Sequence, residues 1–422
     1  MNQAFYTGIS GLQTQQAGID VTSNNLANIS TIGFKGDSVE FKSLFENALS
    51  ADAKGSSVNS TVGVGSSVQA IPTIMQTGEL MLTDSSTDLS IIGDGWFGVE
   101  GNGQTMYTRN GAFNFDMSRD LVTTDGMYVL GTLTNNFDEN NNLTSKQNST
   151  QLGSVAAQTS IKLPTQLNYP AEATTLASFK GNLGEEDVVN RMGTTMIDAQ
   201  GNKNSLTLTF TKTVPQPATG VSWDVTATAA SPIALDGSST LYDTQQGVLT
   251  FDETGALLSS TLTGINNNGT PVSIDVGTGY DGITSNAGDV TSSSQTNGLE
   301  AGELVGYNIN QNAEVIATFT NGRQVSMAKI AVYHFQNDQG LQRVNGSNFL
   351  ESANSGKPIF FQDANGNNIL GATVVTNKLE SSNVDTTVGL TELIVYQRAY
   401  DASAKCITTG DQMIQKALQM HR

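Results

Sequence analysis

A seven-residue apolar repeat near the end of the chain limits the fold most. Leu393, Tyr400, Ile407 and Ile414 recur every seven residues, and no proline occurs from Val384 to Arg422. This period predicts a long helix with an apolar seam. Leu390, Ala404 and Leu418 flank the seam, and Val395, Ala399, Ala402, Cys406 and Met413 form a second apolar set to one side. A seam facing one helix takes about two positions in seven, so this sector is wide enough for further neighbours. The opposite end mirrors it with Phe5, Ile9, Leu12, Ile19 and Leu26, interrupted by Gln16 and Ser23. Asp20 is the only charged residue before Lys35. The polar side is built from Gln3, Ser10, Gln13, Thr14, Gln15, Gln16 and asparagines, where a surface helix normally carries Lys and Glu.

Between the ends the period changes to two. SLTLTFTK (205–212), SWDVTATA (222–229), GVLTFD (247–252), AEVIATFT (313–320) and MAKIAVYHF (327–335) read as strands. Asn102-Gly103, Asn110-Gly111, Asp125-Gly126 and Asn321-Gly322 read as turns, as do DAQGN (198–202), DETG (252–255) and DANGN (363–367). Only 14% of residues are charged, and 43 are glycine, a composition that suits short strands and tight turns. The expected fold is mainly β with α-helical termini. Residues 1–34 and 380–422 form a paired, coiled-coil-like inner domain. Residues 35–75 form an extended arm or linker, with 50–68 small, polar and Gly-rich. Residues 76–150 and 298–379 form a β-rich middle domain, and 151–297 an inserted β-rich outer domain. The low-apolar segments 134–153 and 284–300 mark the seams of that insertion.

The residue census excludes several functions. A net charge of −19 repels phosphate backbones, so nucleic-acid binding is not expected. Cys406 is the only cysteine, which rules out an intramolecular disulfide and a cysteine zinc site. His334 lies in a strand run and His421 beside the last residue, so neither a Ser-His-Asp triad nor a His-carboxylate metal set is supported. The Asp/Asn/Gly loops at 138–142, 198–202 and 363–367 lack the full calcium-loop pattern and read as turns. No cofactor motif is found, and an enzyme is the class with least support. No run of about 18 apolar residues is present, so no membrane insertion is expected. A basic, cleavable signal peptide is also missing.

The stretch SNNLANISTIGFK (23–35) ends the first helix in a cluster of asparagines. Asn24, Asn25, Leu26, Ala27, Asn28, Thr31, Gly33, Phe34 and Lys35 resemble the N-terminal signature of the bacterial flagellar rod and hook axial protein family. The C-terminal stretch 380–418 is similar to the matching end of that family, through Ser382-Asn383-Val384-Asp385 and Gln397-Arg398-Ala399-Tyr400. Residues 108–131 and 302–356 resemble the two halves of its inner β-domain. TMIDAQGNKNSLTLTFTK, Trp223 and GVLTFDETGAL resemble the outer domain of hook subunits, which rod subunits lack.

This resemblance implies a structural subunit of the flagellar hook. Such subunits self-assemble into a curved, hollow tube that is a flexible joint between rod and filament and an export channel. The implied partners are further copies of the chain, the distal rod, hook cap and hook-filament junction proteins, and the flagellar type III export apparatus. The implied location is the hook, outside the cell, reached without a cleaved signal peptide. The uncharged face of the first helix would suit such a channel. Phe5 and Ile9 fit a short export element of the family, although any amphipathic helix contains such a pair at i and i+4. Asn28 and Gly33 are expected to take left-handed backbone and turn the chain outward. Thr31, Asn24 and Asn25 would satisfy exposed backbone groups, and Phe34 would anchor the arm. Two alternatives remain: a distal rod protein, disfavoured by the insertion, and a secreted β-rich surface adhesin, disfavoured by the helical termini.

Overall fold

The computed structural model of the chain describes residues 2–44, 46–48, 61–63, 65–186, 189–233 and 238–420. Helix α1 spans Asn2–Ala27 and helix α2 spans Thr386–Met420, and the two pack together. No helix among the described residues is long and apolar enough to cross a membrane. Almost everything between the helices is strand, turn or loop.

The first β core is built on a thirteen-stranded sheet. Its outgoing and returning halves are knit at several pairings, and the strand Tyr128–Leu133 is central among them. That strand pairs with Trp96–Gly101 through Val129↔Val99 and with Gln324–Ile330 through Gly131↔Ile330. Successive side chains point to opposite faces of a strand. Phe97 accordingly joins the cluster of Leu89, Phe113, Val129 and Val315, while Trp96 joins Tyr107, Tyr333 and Phe349 on the other side. The Trp96 and Phe349 rings lie 4.8 Å apart, and Phe97 meets Phe113 edge-on at 5.1 Å.

Ile161, Leu163, Leu167 and Tyr169 belong to this first core, and the second core begins at Ala177. The chain therefore crosses between the cores in residues 169–177 on its way out. Glu172 and Leu299 form an antiparallel bridge at the crossing. The second core lies between a five-stranded antiparallel sheet and a six-stranded mixed sheet. In Lys203–Lys212, Leu206, Leu208 and Phe210 are buried and alternate with Thr207, Thr209 and Thr211. Full burial of each large apolar side chain contributes roughly 1.5–3 kcal/mol. The Trp223 indole N–H donates to Ser285 Oγ at 3.0 Å, so the largest buried ring is also satisfied.

The turn readings hold with one exception. Asn102-Gly103 closes a two-residue hairpin with φ of 54° and 74°. The Asp loops share one device: Asp198, Asp252 and Asp363 each accept backbone N–H bonds from residues two and four positions on. Asn110-Gly111 is not a hairpin turn. Gly111 lies against the carbonyl of Leu89, too close for any side chain. His334 is buried, bonds the Leu370 carbonyl at 2.6 Å and packs at a tilt against Phe361, a structural role. His421 lies outside the described residues.

Candidate assembly site

The two helices run antiparallel. Going along α1, Phe5 meets Gly410, Gly8 meets Ile407, Gly11 meets Ser403, Gly18 meets Tyr396 and Leu26 approaches Gly389. A Cβ on Gly8 would fall 2.7 Å from Ile407 Cγ1, and one on Gly18 3.1 Å from the Tyr396 ring. The sequence reading identified the knobs Leu393, Tyr400, Ile407 and Ile414, all half-buried here. It missed the glycines of the contact line, of which Gly8 receives Ile407 and Gly18 receives Tyr396. The spacing of Gly8, Gly11 and Gly18 by three and seven residues was the available signal.

Phe5, Leu12, Ile19 and Leu26 are half-buried, but Ile9 is 40% exposed and turned off the seam. The cause is geometric: with glycines forming the closest line of contact, Ile9 sits about 100° round from Gly8. Val395 and Met413 of the second apolar set are more than half exposed, at 57% and 53%, and Ala402 and Cys406 are exposed as well. Gln397 and Arg398 also point to solvent.

The polar side of α1 is not wholly free. The described part of the arm contains an antiparallel pair, Glu40–Ser43 with Ser66–Ala70. It lies on α1, and Thr14 Oγ1 donates to the Ser66 carbonyl at 3.1 Å. Phe41 meets Tyr396 of α2 edge-on at 6.0 Å. Residues 49–60 lie outside the described residues.

The asparagine cluster is a graded exit from α1. Asn28 keeps its N–H on the Asn24 and Asn25 carbonyls, and its side-chain amide donates to the Asn24 carbonyl at 2.9 Å. Thr31 Oγ1 donates to Asn28 Oδ1. Asn25 is buried and pairs with the backbone of Asp37 at both ends of its amide, at 2.6 and 2.9 Å. The expectation of a left-handed Asn28 is corrected: its backbone stays tied to the last helical turn, and among Asn28 and Gly33 only Gly33 has positive φ, +67°. A Cβ on Gly33 would lie 2.5 Å from the Asn110 nitrogen, so both backbone sign and space require glycine there.

Beyond Gly33 the signature residues from both ends of the chain converge. Gly33 N–H donates to the Glu380 carbonyl at 2.8 Å. Phe34 is 2% exposed under the Arg343 guanidinium, which also bonds the Lys35 carbonyl. Lys35 Nζ lies 2.5 Å from Glu380 Oε1, and Arg109 lies 3.4 Å from Oε2. The Gly78 N–H and the Gln76 carbonyl complete this set. Burial pushes the Lys35 ammonium below its ordinary pKa while Glu380 pulls it back up. Asn383 accepts from Gly36 N–H and donates to the Ile74 and Gln76 carbonyls. Val384 packs on Gly36. Asp385 caps α2, accepting from the Thr387 and Val388 amides at 2.7 and 3.1 Å, a contact that stabilises a helix by about 1 kcal/mol. Glu380, Arg109 and Arg343 were missed in the sequence. Their only signal was a lone Lys35 ending a nearly uncharged stretch, which needs a counter-charge if buried.

Comparison with known proteins follows the same layout. Residues 5–35 match the family model described as flagella basal body rod protein. Residues 90–176 match the flagellar hook protein FlgE/F/G D1 domain, and 168–329 the flagellar basal body protein FlaE D2 domain. Residues 375–420 match the flagellar basal body rod FlgEFG protein C-terminal model. The chain is 30% identical over 430 residues to the flagellar hook protein FlgE of Brucella suis, covering 99% of this chain and 98% of that protein. It is 28% identical over 430 residues to that of Escherichia coli, covering 97% and 98%, and 28% identical over 473 residues to that of Borreliella burgdorferi, covering all of both. A crystal structure of Helicobacter pylori flagellar hook protein FlgE2 aligns at a TM-score of 0.47 and 14% identity, over 71% of this chain and all of that one. With relatives matched end to end and the terminal signatures meeting at one junction, the chain belongs to the flagellar hook protein family.

Proposed function

We propose that the chain is the subunit of a curved, hollow helical tube that works as a flexible joint between rod and filament and as an export channel. One observation carries this reading. Helix α2 keeps Val388, Val395 and Met413 more than half exposed after α1 has covered its seam. These residues, with Ala402 and Cys406, form a stripe along one flank of the helix. An apolar flank on a 35-residue helix is poorly matched to water and well matched to neighbouring helices. The junction around Glu380 then couples each helix pair to its β cores.

In this reading Phe5, Leu12, Ile19 and Leu26 with Leu393, Tyr400, Ile407 and Ile414 hold the helix pair. Ile9, Gln397 and Arg398 face neighbours. Asn24, Asn25, Asn28, Thr31, Gly33, Phe34, Asn383, Val384 and Asp385 fix the angle at which the pair leaves the β core. The proposed partners are other copies of the chain, the distal rod, hook cap and hook-filament junction proteins, and the type III export apparatus. The chain reaches the cell exterior without cleavage of a signal peptide. Negative-stain microscopy of the purified, concentrated protein tests the reading. Curved tubes are expected, and monomers at every concentration would overturn it.

A further inference from the structure

We infer that the face of α2 turned away from α1 docks on an acidic, apolar strand edge of a second copy of the chain. This inference rests on the polymer reading above and names two surfaces that would make a contact within it. At about 100° per residue, Leu390, Ile394, Arg398 and Lys405 fall within about 80° of one another around α2. Lys416 continues the line three turns on from Lys405. Leu390 and Ile394 are 45% and 52% exposed. Arg398, Lys405 and Lys416 are exposed and make no ion pair among the described residues. They are all the cations of α2, gathered on one ridge. Asp401 falls inside the same sector, three residues from Arg398 and four from Lys405, so the face carries three cations and one carboxylate.

The complementary surface lies at the strand Leu80–Leu82. Among the described residues it pairs with Lys378–Glu380 alone, which leaves its other edge without a strand partner there. Met81 and Leu82 are 50% and 75% exposed, flanked by exposed Glu79 and Asp84. No Lys or Arg occurs from residue 55 to 108, while Glu79, Asp84, Asp88, Asp94 and Glu100 all do. Lys378, half-buried across from Leu82, is the nearest cation in register. One surface is apolar and basic, the other apolar and acidic, and both are exposed among the described residues of a single copy. Two different patches that fit each other make a heterologous contact, which propagates into an open helical assembly instead of closing as a dimer.

A charge swap tests the inference. Arg398→Glu with Lys405→Glu is expected to raise the critical concentration for tube formation by about tenfold, and Glu79→Lys with Asp84→Lys to do the same. Mixing all four changes in one chain is expected to bring it back to within about threefold of the wild type. Failure of the four-fold variant to recover, or no effect of either pair, overturns the inference. The wild-type chain supplies a second test that depends on no variant: its critical concentration should rise as NaCl is raised from about 50 to 500 mM. A salt-independent value overturns the docking surface while leaving the tube intact. A wild-type chain that never forms tubes overturns the polymer reading itself.

Discussion

Lys35 and Glu380 lie 2.5 Å apart, each 1% exposed, across 345 residues of sequence. The pair closes the chain on itself at the point where both helices leave the β core. Because Glu380 also faces Arg109, one carboxylate serves two buried cations. Glu380→Gln removes the charge and keeps the shape, leaving both cations without that carboxylate. Breaking one side of a buried pair costs about 3–5 kcal/mol. Urea unfolding followed by Trp96 fluorescence, with Trp223 replaced by Phe in both proteins compared, should show a loss of that size. An unchanged midpoint would mean that Asp94, exposed nearby, already balances the site.

Gly33 offers a sharper contrast. Gly33→Ala places a Cβ against the Arg109-Asn110 backbone at φ +67°. Left-handed backbone alone costs an L-residue roughly 1–2 kcal/mol, and the backbone contact adds to it. Gly103→Ala has similar backbone, φ +74°, but open space around it. Gly33→Ala should therefore destabilise the protein by clearly more than Gly103→Ala in the same thermal scan. Equal losses would remove the close approach from the account.

Much of this layout was legible in the sequence because it follows from period. The 3.5-residue repeat around Ile407 and the two-residue alternation around Leu208 each report burial on one side of a regular element. The junction was not legible for the same reason: Lys35, Arg109, Arg343 and Glu380 come from four distant segments, and no local pattern links them. The glycine side of the helix seam showed only as the spacing of Gly8, Gly11 and Gly18, because a receiving hole carries no apolar signal. The outgoing crossing between the cores also escaped a polarity reading. Residues 134–153 are polar yet loop back onto the first core, where Leu143 and Leu152 are buried.

The helix seam gives a direct prediction. Gly18→Leu adds a side chain where even a Cβ comes within 3.1 Å of the Tyr396 ring. The helices must separate, so tube formation should be lost while far-UV circular dichroism keeps its β signal. Ile407→Asp should do the same, since it drives a charge against Gly8. Thr408→Asp, on an exposed position about 100° round, should still polymerise. Equal polymerisation by Ile407→Asp and Thr408→Asp would show that the seam is not needed for assembly.

The crossing between the β cores has a pH signature. The Glu172 carboxyl is held below the usual carboxylate range by hydrogen bonds from Lys146 Nζ and Tyr169 OH. A lowered folded pKa adds stability above the ordinary value of 4.5 and loses it as pH falls through the folded value. Both charged side chains are about a third exposed, so solvent screening limits the pair to under about 1 kcal/mol. Glu172→Gln should cost that much at neutral pH and nothing in acid. The Tyr169 phenol, pushed up to about 12 by burial and then by Glu172, should titrate lower in the variant. An unmoved Tyr169 in an ultraviolet titration would place the effect in burial alone.

The second core should be removable. Its strands share no core residue with the first, and both crossing segments meet at the Glu172↔Leu299 bridge. Paired residues of an antiparallel bridge lie about 5 Å apart, a gap that two or three glycines span. Replacing residues 173–298 with Gly-Gly-Ser therefore asks nothing of the first core's register. The retained core loses chiefly the exposed ion pair of Lys203 with Glu300, 2.6 Å long, at the crossing. The shortened chain should fold, keep the Lys35–Glu380 junction and form tubes, with altered curvature because the outer layer is gone. Folded monomers that never polymerise would assign the assembly contacts to the second core. An unfolded product would show that the first core depends on the second in a way the Glu172–Leu299 neck does not reveal.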